Sequence, residues 1–268
     1  MNVALIDFSP STSNLISFAH QWSVHTSQPL QLMHSVDSPE FAMAGSNKEE
    51  WKKEEQESAI TLLEKRSLDL IGETLPSHAN TTNLCDGVLE LHKNQPINLL
   101  FMGLKGSGFW KRIMIGSKVI EVSESVDLPV FAVPRHCRFA GSYTVFVSVS
   151  PQHSLNMPAL EQFIANGRGI IEKMVFISVA TSKDDLFEVE ENLLGLVKLS
   201  PGHLPASSLV IKGGSAFETL KKQLADKNDV LLLVQKGSRA WNELLFRKFL
   251  VNELVYDGAL PLLILPST

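Results

Sequence analysis

Short apolar runs punctuate the chain at regular intervals, and few of them alternate with polar residues. "NLLFM" from Asn98 and "DVLLLV" from Asp229 contain unbroken apolar stretches, the pattern of parallel strands covered on both faces. Strands are predicted at 2–7, 29–36, 98–103 and 128–133, with a weaker one near 80–85. Between them the period lengthens to that of helices, at about 11–25, 48–73, 86–94 and 110–126. The clearest helix, "EEWKKEEQESAITLLEKRSLDLIGETL", starts acidic and sets Ile60, Leu63, Leu70 and Ile71 near one stripe. Its charged remainder reads as a solvated face with pairs such as Glu49–Lys53. Further strands are predicted at 143–149, 173–180, 208–213, 229–234 and 261–265. Strand and helix alternating at this length predict an α/β fold of doubly wound parallel sheets, whose ligands sit at the carboxyl ends of the strands.

The pattern occurs twice. "NLLFMGLKGSGFW" and "DVLLLVQKGSRAW" share Lys-Gly-Ser and a following Trp, pairing Lys105 with Lys236, Gly106 with Gly237 and Trp110 with Trp241 at an offset of 131. "LPVFAVP" (128–134) matches "LPLLILP" (260–266), and "VALIDFSPS" near residue 3 matches "TVFVSVSPQ" near residue 144. A period this long marks a duplicated domain rather than a solenoid. The expected domains are residues 1–137 and 138–268, joined by the short polar stretch "PRHCRFAGS". A link this short predicts domains that pack together rather than swing.

The stretch "GLKGSGFWKRIMIGS", residues 103–117, begins at the end of a predicted buried strand. A loop leaving a strand and entering a helix aims unpaired backbone N–H groups at one point, where the helix dipole favours an anion. Glycines there admit a ligand close to the backbone. Gly103, Gly106 and Gly116 would supply that access, with the Ser117 hydroxyl as a further donor. No GxxxxGK[ST] P-loop occurs, and the position after the fourth strand is wrong for the dinucleotide GxGxxG. The competing reading is an inherited loop that only turns the chain.

The spacing G-x2-G-x9-G-[ST] resembles the nucleotide motif of the ATP-binding universal stress proteins, matched by Gly103, Gly106, Gly116 and Ser117, with Met102 before the first glycine. The resemblance runs nearly full length as two copies. It implies two tandem Rossmann-like domains of five parallel strands, order 3-2-1-4-5, paired through their last strands as a pseudo-dimer. That pairing would bury "LPVFAVP" and "LPLLILP", edge strands that are otherwise an aggregation hazard. It also implies a cytoplasmic sensing or signalling role, with ATP or another adenine nucleotide bound with or without Mg²⁺. Adenosine would lie near Ile6, Asp7 and Ser35, and the phosphates against Gly103, Gly106, Gly116 and Ser117. Lys105 and the Lys118 backbone would add contacts. Ser35 departs from the valine usual in the family. Asp7 reads equally as a helix cap, alongside Ser9 and Ser11.

The second copy departs further. Aligned on its own motif, it carries Val234 for Gly103, Arg247 for Gly116, Lys248 for Ser117 and Ser148 for Asp7. One nucleotide site is expected, in the first domain. Trp110, which has a counterpart in the motif-less copy, reads as packing.

Charge and chemistry narrow the alternatives. A net charge of −5 argues against nucleic acid, and no apolar run reaches the roughly 18 residues of a membrane helix. Cys85 and Cys137 fit a reducing cytoplasm and read as inert. The eight histidines form no metal pair, so no metal ligands or catalytic residues are expected, and His34 reads as a packed histidine. The remaining rivals are a slow ATP hydrolase, for which no water-positioning residue stands out, and a nucleotide-free interaction module. A further homodimer of the pseudo-dimer stays open.

Overall fold

The computed structural model describes residues 1–36, 48–104, 117–180, 184–212, 224, 227–238 and 260–268. Apolar runs become strands and the amphipathic segments between them become crossover helices. The order is β1 (Asn2–Leu5), α1 (Thr12–His25), β2 (Leu30–Ser35), α2 (Lys48–Ile71), β3 (Ser77–Asn80), α3 (Leu84–Asn94), β4 (Leu99–Leu104), α4 (Ser117–Ser125) and β5 (Val130–Pro134). Then come β6 (Tyr143–Ser148), α5 (Met157–Asn166), β7 (Ile171–Ala180), α6 (Leu186–Leu199), β8 (Ala206–Lys212), β9 (Val230–Gln235) and β10 (Leu262–Leu265).

All strands join one sheet in the order β3-β2-β1-β4-β5-β10-β9-β6-β7-β8. Each half is parallel with the predicted 3-2-1-4-5 order, and the halves meet antiparallel through β5 and β10, their last strands. At this seam Leu262 faces Ala132, Leu263 faces Phe131 and Ile264 faces Val130. Phe131 and Leu263 are counterparts in the repeat, so the pseudo-two-fold passes between them.

The sheet is covered on both sides. Residues of α1, α2, α5 and α6 pack with Ala4, Phe101, Phe131, Val147, Leu233 and Leu263 on one side. On the other, α3 and α4 pack with Leu100, Met102 and Val130. Trp22 of α1 joins the halves, its ring 4.9 Å from Phe131, 5.8 Å from Tyr143 and 6.0 Å from Phe163 of α5. Such aromatic contacts stabilise beyond their buried area.

Two expectations shift. The third strand lies at Ser77–Asn80, ahead of the predicted 80–85. Residues 81–83 are taken by a turn, because Asn80 Nδ2 donates to Thr82 Oγ1 at 2.7 Å and Asn83 caps α3 by accepting from the Asp86 N–H at 2.9 Å. On α2, Glu49 pairs with Lys52 at 3.0 Å and Lys53 lies 3.9 Å from Glu57, not in the expected Glu49–Lys53 pair. The part of the predicted helix at 110–116 lies outside the described residues. Among the described residues no helix is long and apolar enough to cross a membrane.

Two measurements follow from this core. Phe131→Ala should cost about 3–5 kcal/mol in denaturant unfolding followed by tryptophan fluorescence, the usual loss for a buried phenylalanine. Burial holds the Cys137 thiol protonated, its pKa pushed up to about 12, and raises the Tyr143 hydroxyl as well. Raised folded-state values mean the native protein keeps protons that the unfolded chain loses. Stability is therefore full below the ordinary thiol pKa and should fall progressively as pH rises from about 9 toward 12. Unfolding midpoints measured across that range check it.

Candidate functional site

The carboxyl ends of β1 and β4 are neighbours, with Leu5 beside Met102. From β1 the chain passes to α1 on one side of the sheet, and from β4 to α4 on the other. A crevice opens where successive connections diverge in this way, and that is where ligands of open α/β sheets bind.

Five of the predicted residues stand at the ends of the adjacent strands β1, β2 and β4. Ile6 is buried and extends the ladder, its N–H donating to the Met33 carbonyl at 2.8 Å. Asp7 is exposed, and its Oδ1 accepts from the Ser9 N–H at 3.0 Å. That bond closes an Asx turn, so the local role of Asp7 is to shape the loop before α1. Ser9 and Ser11 share a hydroxyl hydrogen bond of 2.7 Å, and Ser11, at the N-cap position of α1, makes no side-chain cap bond. Thr12 Oγ1 is buried without a partner among the described residues. At the end of β2, the Ser35 hydroxyl donates to the Thr82 carbonyl at 2.8 Å, which leaves its lone pairs free to accept. Met102 is buried on the α3/α4 side.

Gly103 sits beside Val133, and a Cβ there would lie 3.1 Å from Ser11 Oγ. The start of α1 thus approaches β4 closely because residue 103 has no side chain. Lys105, Gly106, Gly116 and Trp110 lie outside the described residues. Ser117 is the first residue of α4, and Lys118 follows it exposed, its Nζ 3.0 Å from Glu121. Among the described residues no three His, Cys, Asp or Glu side chains gather to hold a metal.

The second half corrects the alignment drawn on Lys-Gly-Ser. Leu232 pairs with Leu262 as Leu100 pairs with Val130, and Gln235 pairs with Leu265 as Gly103 pairs with Val133. The counterpart of Gly103 is therefore Gln235, and Val234 stands for Met102. On β6, Ser148 pairs with Ile177 as Leu5 pairs with Met33, so Ser150 rather than Ser148 stands for Asp7. The shared Lys-Gly-Ser lies one residue nearer the strand in the second copy, and matching it moved the strands out of step.

Gln235 places a side chain at the register position where the first half has Gly103. It is 5% exposed, its Oε1 accepts from the Asn156 N–H at 2.6 Å and its Nε2 donates to the Ser154 carbonyl at 3.0 Å. One amide thus ties the end of β9 to the loop between β6 and α5. Asn156 in turn donates to the Pro266 carbonyl at 3.4 Å, matching the 3.1 Å bond from Asn14 to Pro134 in the first half. The two halves anchor their first helices alike and differ in what crosses the crevice. Gln235 escaped the sequence reading, although as the one polar residue ending the run "VLLLVQ" it carried a signal.

The sequence profile described as the universal stress protein family matches residues 3–134. Among solved structures, a universal stress protein from Archaeoglobus fulgidus is similar, with TM-score 0.62 and 13% identity over 99% of this chain and 98% of that one. A putative universal stress protein from Pseudomonas aeruginosa has TM-score 0.51 and 10% identity over 100% and 94%. The cytoplasmic domain of a prokaryotic cation chloride cotransporter has TM-score 0.54 and 12% identity over 98% and 94%. At these identities the structures show a shared fold. No curated protein sequence matches the chain.

Gln235→Ala should lower stability by about 1–3 kcal/mol, because it strips partners from partly buried backbone groups. Equilibrium unfolding in urea measures it.

Proposed function

We propose that this chain, which belongs to the universal stress protein family through its residues 3–134, binds ATP or a related adenine nucleotide in the first-half crevice and nowhere in the second. The observation that carries the reading is the contrast at one register position. Gly103 projects no side chain from the end of β4 and Ser11 packs close to it instead, whereas Gln235 at the same register reaches across to the loop before α5 in the second half. The residues bordering the first crevice suit an adenosine. Asp7 and Ser35 carry oxygens that can accept from ribose and base, with the buried Ile6 and Met102 at the strand ends beside them.

The phosphates would continue toward Lys105, Gly106, Gly116, Ser117 and Lys118, with or without Mg²⁺. The start of α4 would place its dipole toward them. The role we read from the family is sensing through occupancy in the cytoplasm, with a partner reading the loaded state.

Calorimetric titration of ATP into the native chain should saturate near one site. Gly103→Gln, which copies the second half, should weaken binding by at least about tenfold, the effect of a side chain placed against Ser11 in the ligand's space. Undiminished binding in that variant, or two equal sites in the native chain, would contradict the reading.

A further inference from the structure

We infer that the outer edge of β8 is a pairing surface for a second copy of this chain, the two β8 strands running antiparallel about Leu209 and joining two ten-stranded sheets into one. β8 ends the sheet on one side and β3 on the other. A sheet edge carries unpaired backbone groups that another chain can take up, unless the edge is short, charged, bulged or covered. β3 is closed in this way. It spans only Ser77–Asn80, directly after Pro76. The Asn80 carbonyl is taken by the Val36 N–H of the β2 side, so that of Ala79 turns outward, and there the Gln56 side chain of α2 donates to it at 2.9 Å.

β8 is open. It is seven residues long, "ASSLVIK", with no proline, no register shift against β7 and one charge, Lys212 at its end. Met174, beside Ala206, donates its N–H to the Pro205 carbonyl at 2.9 Å. That bond fixes the phase of the ladder. The backbone groups of Ser207, Leu209 and Ile211 turn toward β7, and those of Ala206, Ser208, Val210 and Lys212 turn away from the sheet. Among the described residues nothing pairs with the outward groups.

The strand is complementary to itself. An antiparallel copy centred on Leu209 sets Ser208 against Val210 and Ala206 against Lys212, pairs whose outward N–H and C=O groups exchange hydrogen bonds. Leu209 meets its own counterpart in the close, non-hydrogen-bonded position, an apolar pair across the two-fold axis. Lys212 faces an alanine, so no like charges meet, and its Nζ lies 3.4 Å from Glu190 of its own α6. Because Glu190 reaches Lys212, the flank of α6 that carries it leans over β8. Leu186 and Leu194, one turn to either side of Glu190, share that flank. They are 39% and 52% exposed, and Phe187, seven residues before Leu194, is 68% exposed. A two-fold axis normal to the sheet brings both α6 helices together on one face, where these apolar side chains cover each other. The pairing repeats between molecules what β5 and β10 do within one.

Sedimentation equilibrium of the full chain tests this, in the native protein and in two variants. The native chain should run at twice its 29.6 kDa. Ser208→Pro removes an outward N–H and leaves the bonds to β7 intact, since proline is tolerated on the solvent side of an edge strand. Leu209→Lys sets like charges against each other across the axis. Each should raise the dimer dissociation constant at least about tenfold, and the variant whose far-UV circular dichroism matches the native chain is read. A monomeric native chain, its edge left to water or to a strand of another protein, overturns the inference. So does a dimer that persists unweakened in the folded variant.

Discussion

The antiparallel pairing of β5 with β10 is the constraint on which the molecule turns. Each of these strands is apolar on both faces, and each would be the open edge of its own five-stranded sheet. Joined, they make one sheet of ten strands, with Phe131 facing its own counterpart Leu263. The seam also fixes the helical layers. Trp22 reaches rings from both halves, Phe131 on one side of the boundary and Tyr143 and Phe163 on the other. Because the pairing is antiparallel, the carboxyl ends of the two half-sheets point in opposite directions. The two sites related by the pseudo-two-fold therefore lie at opposite ends of the sheet.

Duplication gives two equivalent positions, and one residue separates their fates. With glycine at 103, the start of α1 comes close to the end of β4, and the Ser11 side chain packs against that position. With glutamine at 235, an amide makes two hydrogen bonds across the same gap and satisfies backbone groups before α5. The second crevice is filled by the chain itself. Gln235 there contributes stability by satisfying backbone groups.

The parallel strands and the repeat were legible in the sequence because unbroken apolar runs and the twin Leu-Pro segments report burial directly, whereas the strand order and the seam came with the family resemblance. The third strand was misplaced because "SHAN" is short and polar, an edge strand whose boundary is set by the side chains of Asn80 and Asn83 rather than by hydrophobicity. The placement of some candidate residues was legible. Asp7, Ser35 and Gly103 do stand at neighbouring strand ends, yet the alignment that paired Gly103 with Val234 was one residue out. Identity at Lys-Gly-Ser outweighed the two-residue alternation that decides which face of a strand a side chain takes. A shift of one residue exchanges a core valine for a bridging glutamine. His34 read as a packed histidine, and it packs against Phe8 with its Nδ1 on the Ile6 carbonyl oxygen.

Amide hydrogen exchange with and without ATP tests the asymmetry of the two crevices most directly, since it reads both in one experiment. Protection on adding ATP should appear at residues 6–12 and at the ends of β2 and β4, while the matching segment at 149–156 and the end of β9 stay unchanged. Protection of equal size in both halves, or none in either, would contradict the account.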